Sequence, residues 1–194
     1  MSTTLIVGPV RAGKSARAAA LARASGKPVT LLATAAFDPN DAEMRDRVER
    51  HRASRPAEWN VIEISQRGED ALAESLRAAE AGTCVVVDAL GTWLGALLLG
   101  AEERAARDPV GTLAMLDLRG TELANALGAT RAEVIVVAEE TGWGVVPATP
   151  LGRIFRDALG RLTRRIACDA ERVELVVAGY ALDLRAHATA VDET

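Results

Sequence analysis

Gly8, Pro9, Val10, Arg11, Ala12, Gly13, Lys14 and Ser15 complete a G-x-x-x-x-G-K-[ST] pattern, and few folds accommodate it. Thr3-Thr4-Leu5-Ile6-Val7 before it is short, β-rich and apolar, and the stretch from Ala16 to Ala24 is rich in the strongest helix former. A strand that turns through such a loop into a helix is the P-loop arrangement. The residue types follow from the chemistry. A phosphate chain needs many N–H donors aimed at one point. A loop that closes on a helix N-terminus supplies them, and the helix dipole adds positive potential. Gly8 and Gly13 permit backbone angles and a close approach that a Cβ blocks. Lys14 is expected to reach the β- and γ-phosphates, and Ser15 to offer its hydroxyl to Mg²⁺. The plainer reading is an ordinary helix cap; the fit of both flanks argues against it.

The rest of the chain alternates strands and helices. Pro28–Ala33 reads as a second strand, followed by Thr34-Ala35-Ala36-Phe37 and a turn at Asp38-Pro39-Asn40-Asp41. Ala42 to Ser54 reads as a charged helix that Arg55-Pro56 stops. By pattern alone that helix is a solvated face laced with i,i+4 pairs, His51 included. Val61–Ile64 reads as a strand in which Glu63 is unusual, either an edge residue facing water or a functional carboxylate. Gly68–Ala81 reads as a helix. Thr83–Asp88 is the clearest central strand, a continuous apolar run ending in an acid. Asp88 at that end is placed to hold Mg²⁺ beside Ser15, or to cap the next helix. Ala89–Leu99 reads as a buried helix or a subunit contact, Glu102–Pro109 as a charged loop, and Val110–Leu127 as a helix stopped by Gly128. A strand at Glu133–Ala138 leads into Glu139-Glu140-Thr141-Gly142-Trp143-Gly144-Val145-Val146-Pro147. That loop leaves a strand C-terminus with an indole, as a substrate or partner contact or as a hydrophobic plug. A helix at Leu151–Cys168 and a strand at Arg172–Gly179 follow. The order predicts an α/β fold: a P-loop three-layer sandwich on a mostly parallel sheet, one domain over residues 1–180, with 181–194 a loose tail.

Composition narrows the function classes. With 49% hydrophobic and only 3% aromatic residues, the core must be built from Val, Leu, Ile and Ala. A formal charge of -4 argues against nucleic-acid binding by bulk electrostatics. Cys84 and Cys168 are far apart without metal-site spacing and read as buried free thiols of a reducing, cytoplasmic compartment. The opening apolar run meets a glycine loop too early for a signal peptide, and no stretch is long and apolar enough to span a membrane.

Further residues carry a resemblance that runs nearly end to end. They are the P-loop, Leu32-Ala33-Thr34-Ala35, Asp41-Ala42-Glu43-Met44, His51 followed by Arg55-Pro56-Ala57-Glu58-Trp59, and the strand ending in Asp88. Thr92-Trp93-Leu94, the loop Glu140–Pro147 and Phe155-Arg156-Asp157 complete the set. The chain resembles the bifunctional adenosylcobinamide kinase / adenosylcobinamide-phosphate guanylyltransferase family of cobalamin biosynthesis. The resemblance implies phosphorylation of adenosylcobinamide by ATP or GTP, followed by transfer of GMP from GTP to that phosphate. It makes His51 the nucleophile that becomes guanylylated and gives Lys14 a catalytic role. It places nucleotide contacts at Gly8–Ser15, at Ala33, Thr34 and Ala35, at Arg52, Ala53, Ser54 and Arg55, and at Glu63 and Asp88, with Mg²⁺ on Ser15 and Asp88. It also implies a homo-oligomer, with a trimer the expected form. Glu139 stands where the family often has Asn, and His187 matches no family role. The competing readings are a single-activity P-loop kinase with His51 a bystander, and a non-catalytic GTP-binding switch.

Overall fold

The computed structural model describes residues 2–35 and 56–191. The helix expected over 42–54, with His51 and its arginines, and the turn at 38–41 lie outside the described residues. The apolar runs form strands β1 (Thr3–Gly8), β2 (Val29–Ala33), β3 (Asn60–Glu63), β4 (Cys84–Asp88), β5 (Glu133–Glu139) and β6 (Arg172–Val177). These pair in parallel, and β7 (Tyr180–Asp183) lies antiparallel on β6, giving the order β3-β2-β4-β5-β1-β6-β7. The helices are α1 (Lys14–Ala24), α2 (Ala71–Ala78), α3 (Leu90–Gly100), α4 (Glu102–Arg107), α5 (Pro109–Ala129), α6 (Pro150–Asp169) and α7 (Leu184–His187).

Side chains of the central strands alternate between two cores. Ile6, Val86, Ile135 and Val137 pack with Ala18 and Ala22 of α1 on one face. Leu5, Val7, Val85, Val87, Val134 and Val136 pack on the other with Leu72, Leu94, Leu123 and Leu159 from α2, α3, α5 and α6. Burial on both faces explains why these strands are continuously apolar rather than alternating. The predicted three-layer sandwich on a mostly parallel sheet is the observed architecture.

The details that position the site begin with α1. Its buried residues Lys14, Ala18 and Ala22 recur every four positions, and the two alanines let the helix lie close to the sheet. Arg17, one turn in, forms a two-pronged pair with Glu174 of β6 at 2.7 and 2.8 Å. Glu174 is 1% exposed, so this bond fixes the P-loop helix to the strand beside β1. The Arg172 Nε also lies 2.7 Å from Glu174, although its N–H is not aligned to donate. The Arg17 hydrogen bond holds the Glu174 carboxyl below its ordinary value of 4.5, against the opposing effect of burial. A lowered folded-state value makes the pair's contribution complete above about pH 4.5 and lost as pH falls through the folded value. Arg17→Ala strands a buried carboxylate and is expected to destabilise the fold by about 2 kcal/mol, less than for a fully buried pair because Arg17 is partly exposed and Arg172 remains. Urea unfolding of wild type and variant at pH 7 and below pH 4 checks it: the difference should shrink in acid.

Three expectations are corrected. Glu102–Arg107, read as a loop, is the helix α4; its Glu, Ala and Arg residues are strong helix formers, and Arg107 pairs with Glu103 at 2.8 Å. Residues 181–187, read as loose tail, are the rest of β7 and α7. A tight turn at Ala178-Gly179, both at positive φ, folds β7 back on β6. Cys168 is exposed on α6, whereas Cys84 is buried in β4 and burial pushes its thiol up to about 11, an unreactive group. Among the described residues no helix is long and apolar enough to cross a membrane.

Candidate active site

The site collects at the C-terminal ends of the parallel strands. The register sets Glu63 of β3, Ala33 of β2, Asp88 of β4, Val137 of β5 and Ile6 of β1 in one row across the sheet. The P-loop rises from β1 just beyond that row. Its turn requires Gly13 at φ 105°, which serves as the N-cap of α1. Gly8 is required by space: a Cβ there would fall 2.2 Å from the Val176 carbonyl oxygen. From the same side the Gly179 N–H donates to the Ala12 carbonyl at 3.0 Å. The hairpin of β6 and β7 therefore backs the loop, a support that no residue pattern near the loop announces.

Lys14 is buried, and its ammonium donates to the Pro9 carbonyl at 2.8 Å. Across the loop mouth, the Ser15 hydroxyl donates to Asp88 Oδ1 at 3.3 Å. Two oxygens separated by 73 positions in sequence thus converge beside the lysine. Both are hard donors, and they form an incomplete ligand set of the kind that suits an ion drawing its remaining ligands from water and phosphate. Among the described residues no cluster of three or more His, Cys, Asp or Glu offers a complete protein cage for a metal.

Asp88 is held from behind by Thr34, which is 1% exposed. The Thr34 N–H donates to the Asp88 carbonyl at 3.2 Å. Its hydroxyl accepts from the Ala89 N–H at 2.7 Å and lies 2.6 Å from both the Ala89 carbonyl and the Thr92 hydroxyl. The Asp88–Ala89 peptide is cis. The Thr34 hydroxyl is thus engaged by protein groups and positions the Asp88 segment. The Ala35 carbonyl accepts from the Ser65 hydroxyl at 3.0 Å. Ala33 is buried, and Val10 and Arg11 are exposed at the loop crest. Glu63, half-buried on the edge strand, is two strands from Asp88, about 10 Å across the sheet.

Sequence reasoning missed the work of Glu139. Its carboxylate accepts from the Gly91 N–H at 2.8 Å, placing negative charge on the N-terminus of α3 beside Asp88. The loop after β5 begins against the P-loop, where the Glu140 N–H donates to the Gly8 carbonyl at 2.9 Å. Beyond it, Trp143 is exposed. A cleft of about 730 Å³ at residues 99–108 lies around the far end of α3 and is lined by none of the P-loop residues.

With this geometry in place, comparison with known proteins decides the lineage. The family model described as cobinamide kinase / cobinamide phosphate guanyltransferase matches residues 4–184. The chain belongs to this family. The cobinamide kinase / guanyltransferase relatives include the bifunctional adenosylcobalamin biosynthesis protein CobP of Pseudomonas aeruginosa, 42% identical over 93% of this chain and 96% of that protein. The bifunctional protein CobU of Escherichia coli is 31% identical over 93% of this chain and 98% of its own length. Among solved structures, an ATPase of a bacterial type III secretion system aligns with TM-score 0.50 at 9% identity. The alignment covers 97% of this chain and 59% of that ATPase, a likeness of fold alone. A P-loop whose serine reaches a carboxylate two strands away, across β5, is suited to handling a nucleoside triphosphate.

Proposed function

We propose that this chain is a cytoplasmic bifunctional enzyme that phosphorylates adenosylcobinamide and then caps the new phosphate with GMP. The observation that carries the proposal is the family match over residues 4–184, which spans both the P-loop and His51. In the first reaction, the terminal hydroxyl oxygen of the aminopropanol arm attacks the γ-phosphorus of ATP or GTP. The β–γ bridging oxygen leaves with the diphosphate, and the hydroxyl proton passes to solvent. The backbone N–H groups of the Gly8–Ser15 loop, all but that of Pro9, which has none, and the Lys14 ammonium would hold the phosphates in line. Ser15 and Asp88 would hold Mg²⁺, which supplies charge neutralisation on the β- and γ-oxygens when bound. Ala33, Thr34, Ala35 and Glu63 are proposed nucleotide contacts.

In the second reaction, an unprotonated His51 ring nitrogen attacks the α-phosphorus of GTP and pyrophosphate leaves. A phosphate oxygen of adenosylcobinamide phosphate then attacks the same phosphorus and releases His51, giving adenosylcobinamide-GDP. The covalent intermediate splits one difficult transfer into two easier ones. Arg52, Ala53, Ser54 and Arg55 are assigned to the nucleotide around it, the arginines offsetting phosphate charge. A homo-oligomer, with a trimer the expected form, is part of the proposal.

The test uses GTP labelled at either the α- or the γ-phosphate, with adenosylcobinamide and Mg²⁺. The γ-label should enter the corrinoid first. The α-label should follow into the product and also appear on the protein. A γ-label that enters while the α-label never does would leave only a kinase. Tight GTP binding with neither transfer would leave only a switch.

A further inference from the structure

We infer that the exposed loop between β5 and α6 is the platform on which the corrin macrocycle of the acceptor rests, with Trp143 beneath its face; this rests on the proposed kinase reading. Position is the first ground. β5 lies between β1 and β4 in the sheet, so the loop leaves the sheet between the P-loop and Asp88. The Ser15–Asp88 pair marks the metal end of the phosphate cradle. An acceptor oxygen must approach the γ-phosphorus from beyond that end, in line with the departing bridge oxygen. The body of the acceptor therefore lies over the segment that begins at Glu140.

The loop's construction is the second ground. Both ends are tied down. At the start, Glu140 donates its N–H to Gly8, and its carboxylate accepts from the Gly142 N–H at 2.5 Å. At the finish, Arg153 of α6 donates to the Pro147 and Ala148 carbonyls at 3.0 and 2.9 Å, and the Thr149 hydroxyl caps α6 by accepting from Gly152. Between these anchors the tip is apolar and open: Trp143 is 63% exposed, Val145 95% and Val146 60%. A fixed frame holding three large apolar side chains away from the core contributes nothing to the core.

The third ground is chemical fit. Cobinamide, the substrate named for the family, carries a broad conjugated macrocycle with an apolar face and an amide-bearing rim. An indole with two valines close after it offers apolar contact to such a face. Trp143 stands between the small Gly142 and Gly144, and it is exposed.

The experiment measures cobinamide dissociation constants by quenching of tryptophan emission and by equilibrium dialysis, with GTP affinity and oligomer mass determined in parallel. Trp143→Ala is expected to weaken cobinamide about tenfold or more. Trp143→Phe should recover most of that loss, Val145→Ser should weaken binding severalfold, and GTP affinity should stay within about twofold of wild type. Unchanged cobinamide affinity in Trp143→Ala by dialysis would overturn the assignment while leaving the kinase reading intact. A drop in oligomer mass, with cobinamide affinity regained when subunits are driven together by concentration, would also overturn it by making the tip a contact between copies. Wild type that binds GTP but no cobinamide would instead overturn the kinase reading itself, and this inference with it.

Discussion

Lys14→Met is expected to lower kcat/KM for phosphoryl transfer to adenosylcobinamide about 10³-fold, with the fold retained. The ammonium is buried at the base of the loop and donates to the Pro9 carbonyl, which holds it at the loop itself. Methionine keeps the length and apolar stem of the side chain but removes the charge that offsets negative charge on the γ-oxygens. A steady-state assay with γ-labelled triphosphate measures the loss, and a thermal melt within a few degrees of wild type, on the order of 1 kcal/mol, shows that the fold survives. If one phosphate cradle serves both reactions, guanylylation of the protein falls along with phosphorylation. Full guanylylation in Lys14→Met would place the second reaction in a separate pocket.

His51→Ala is expected to abolish GMP transfer, a loss of at least about 10³-fold, and to leave most of the phosphorylation. The asymmetry follows from the two mechanisms. In the proposed first reaction, phosphoryl transfer relies on positioning and charge supplied by the P-loop, Ser15 and Asp88, and needs no protein nucleophile. GMP transfer through a covalent intermediate cannot start without the imidazole, and His187 on α7 has no counterpart role in the family pattern. Accumulation of adenosylcobinamide phosphate, with none of the GDP-linked product, is the expected chromatographic outcome.

The parts of this molecule legible from sequence are those whose cause is local. The P-loop declares itself because eight consecutive residues carry both its geometry and its chemistry. The central strands declare themselves because burial on both faces forces continuous apolar runs such as Val85-Val86-Val87. What stayed hidden depends on partners distant in the chain. Thr34 holds Ala89 across 55 positions, and Glu139 caps Gly91 across 48. Neither residue differs in type from one that touches a ligand, and only the packing reveals where its hydrogen bonds go. β7 is only four residues long and largely exposed, so it reads as tail until the turn at Ala178-Gly179 returns it to β6. α4 escaped because a short polar helix has no apolar face to set its period.

The central claim is that a triphosphate seated over Lys14 is used by the His51 imidazole. It is tested most directly by intact-mass spectrometry of the protein after incubation with GTP and Mg²⁺, followed by peptide mapping under neutral conditions that preserve a phosphoramidate. The account predicts an acid-labile GMP adduct on wild type, mapped to His51, absent from His51→Ala and strongly reduced in Lys14→Met. Wild type without any adduct, or His51→Ala labelled to the same extent as wild type, would contradict it.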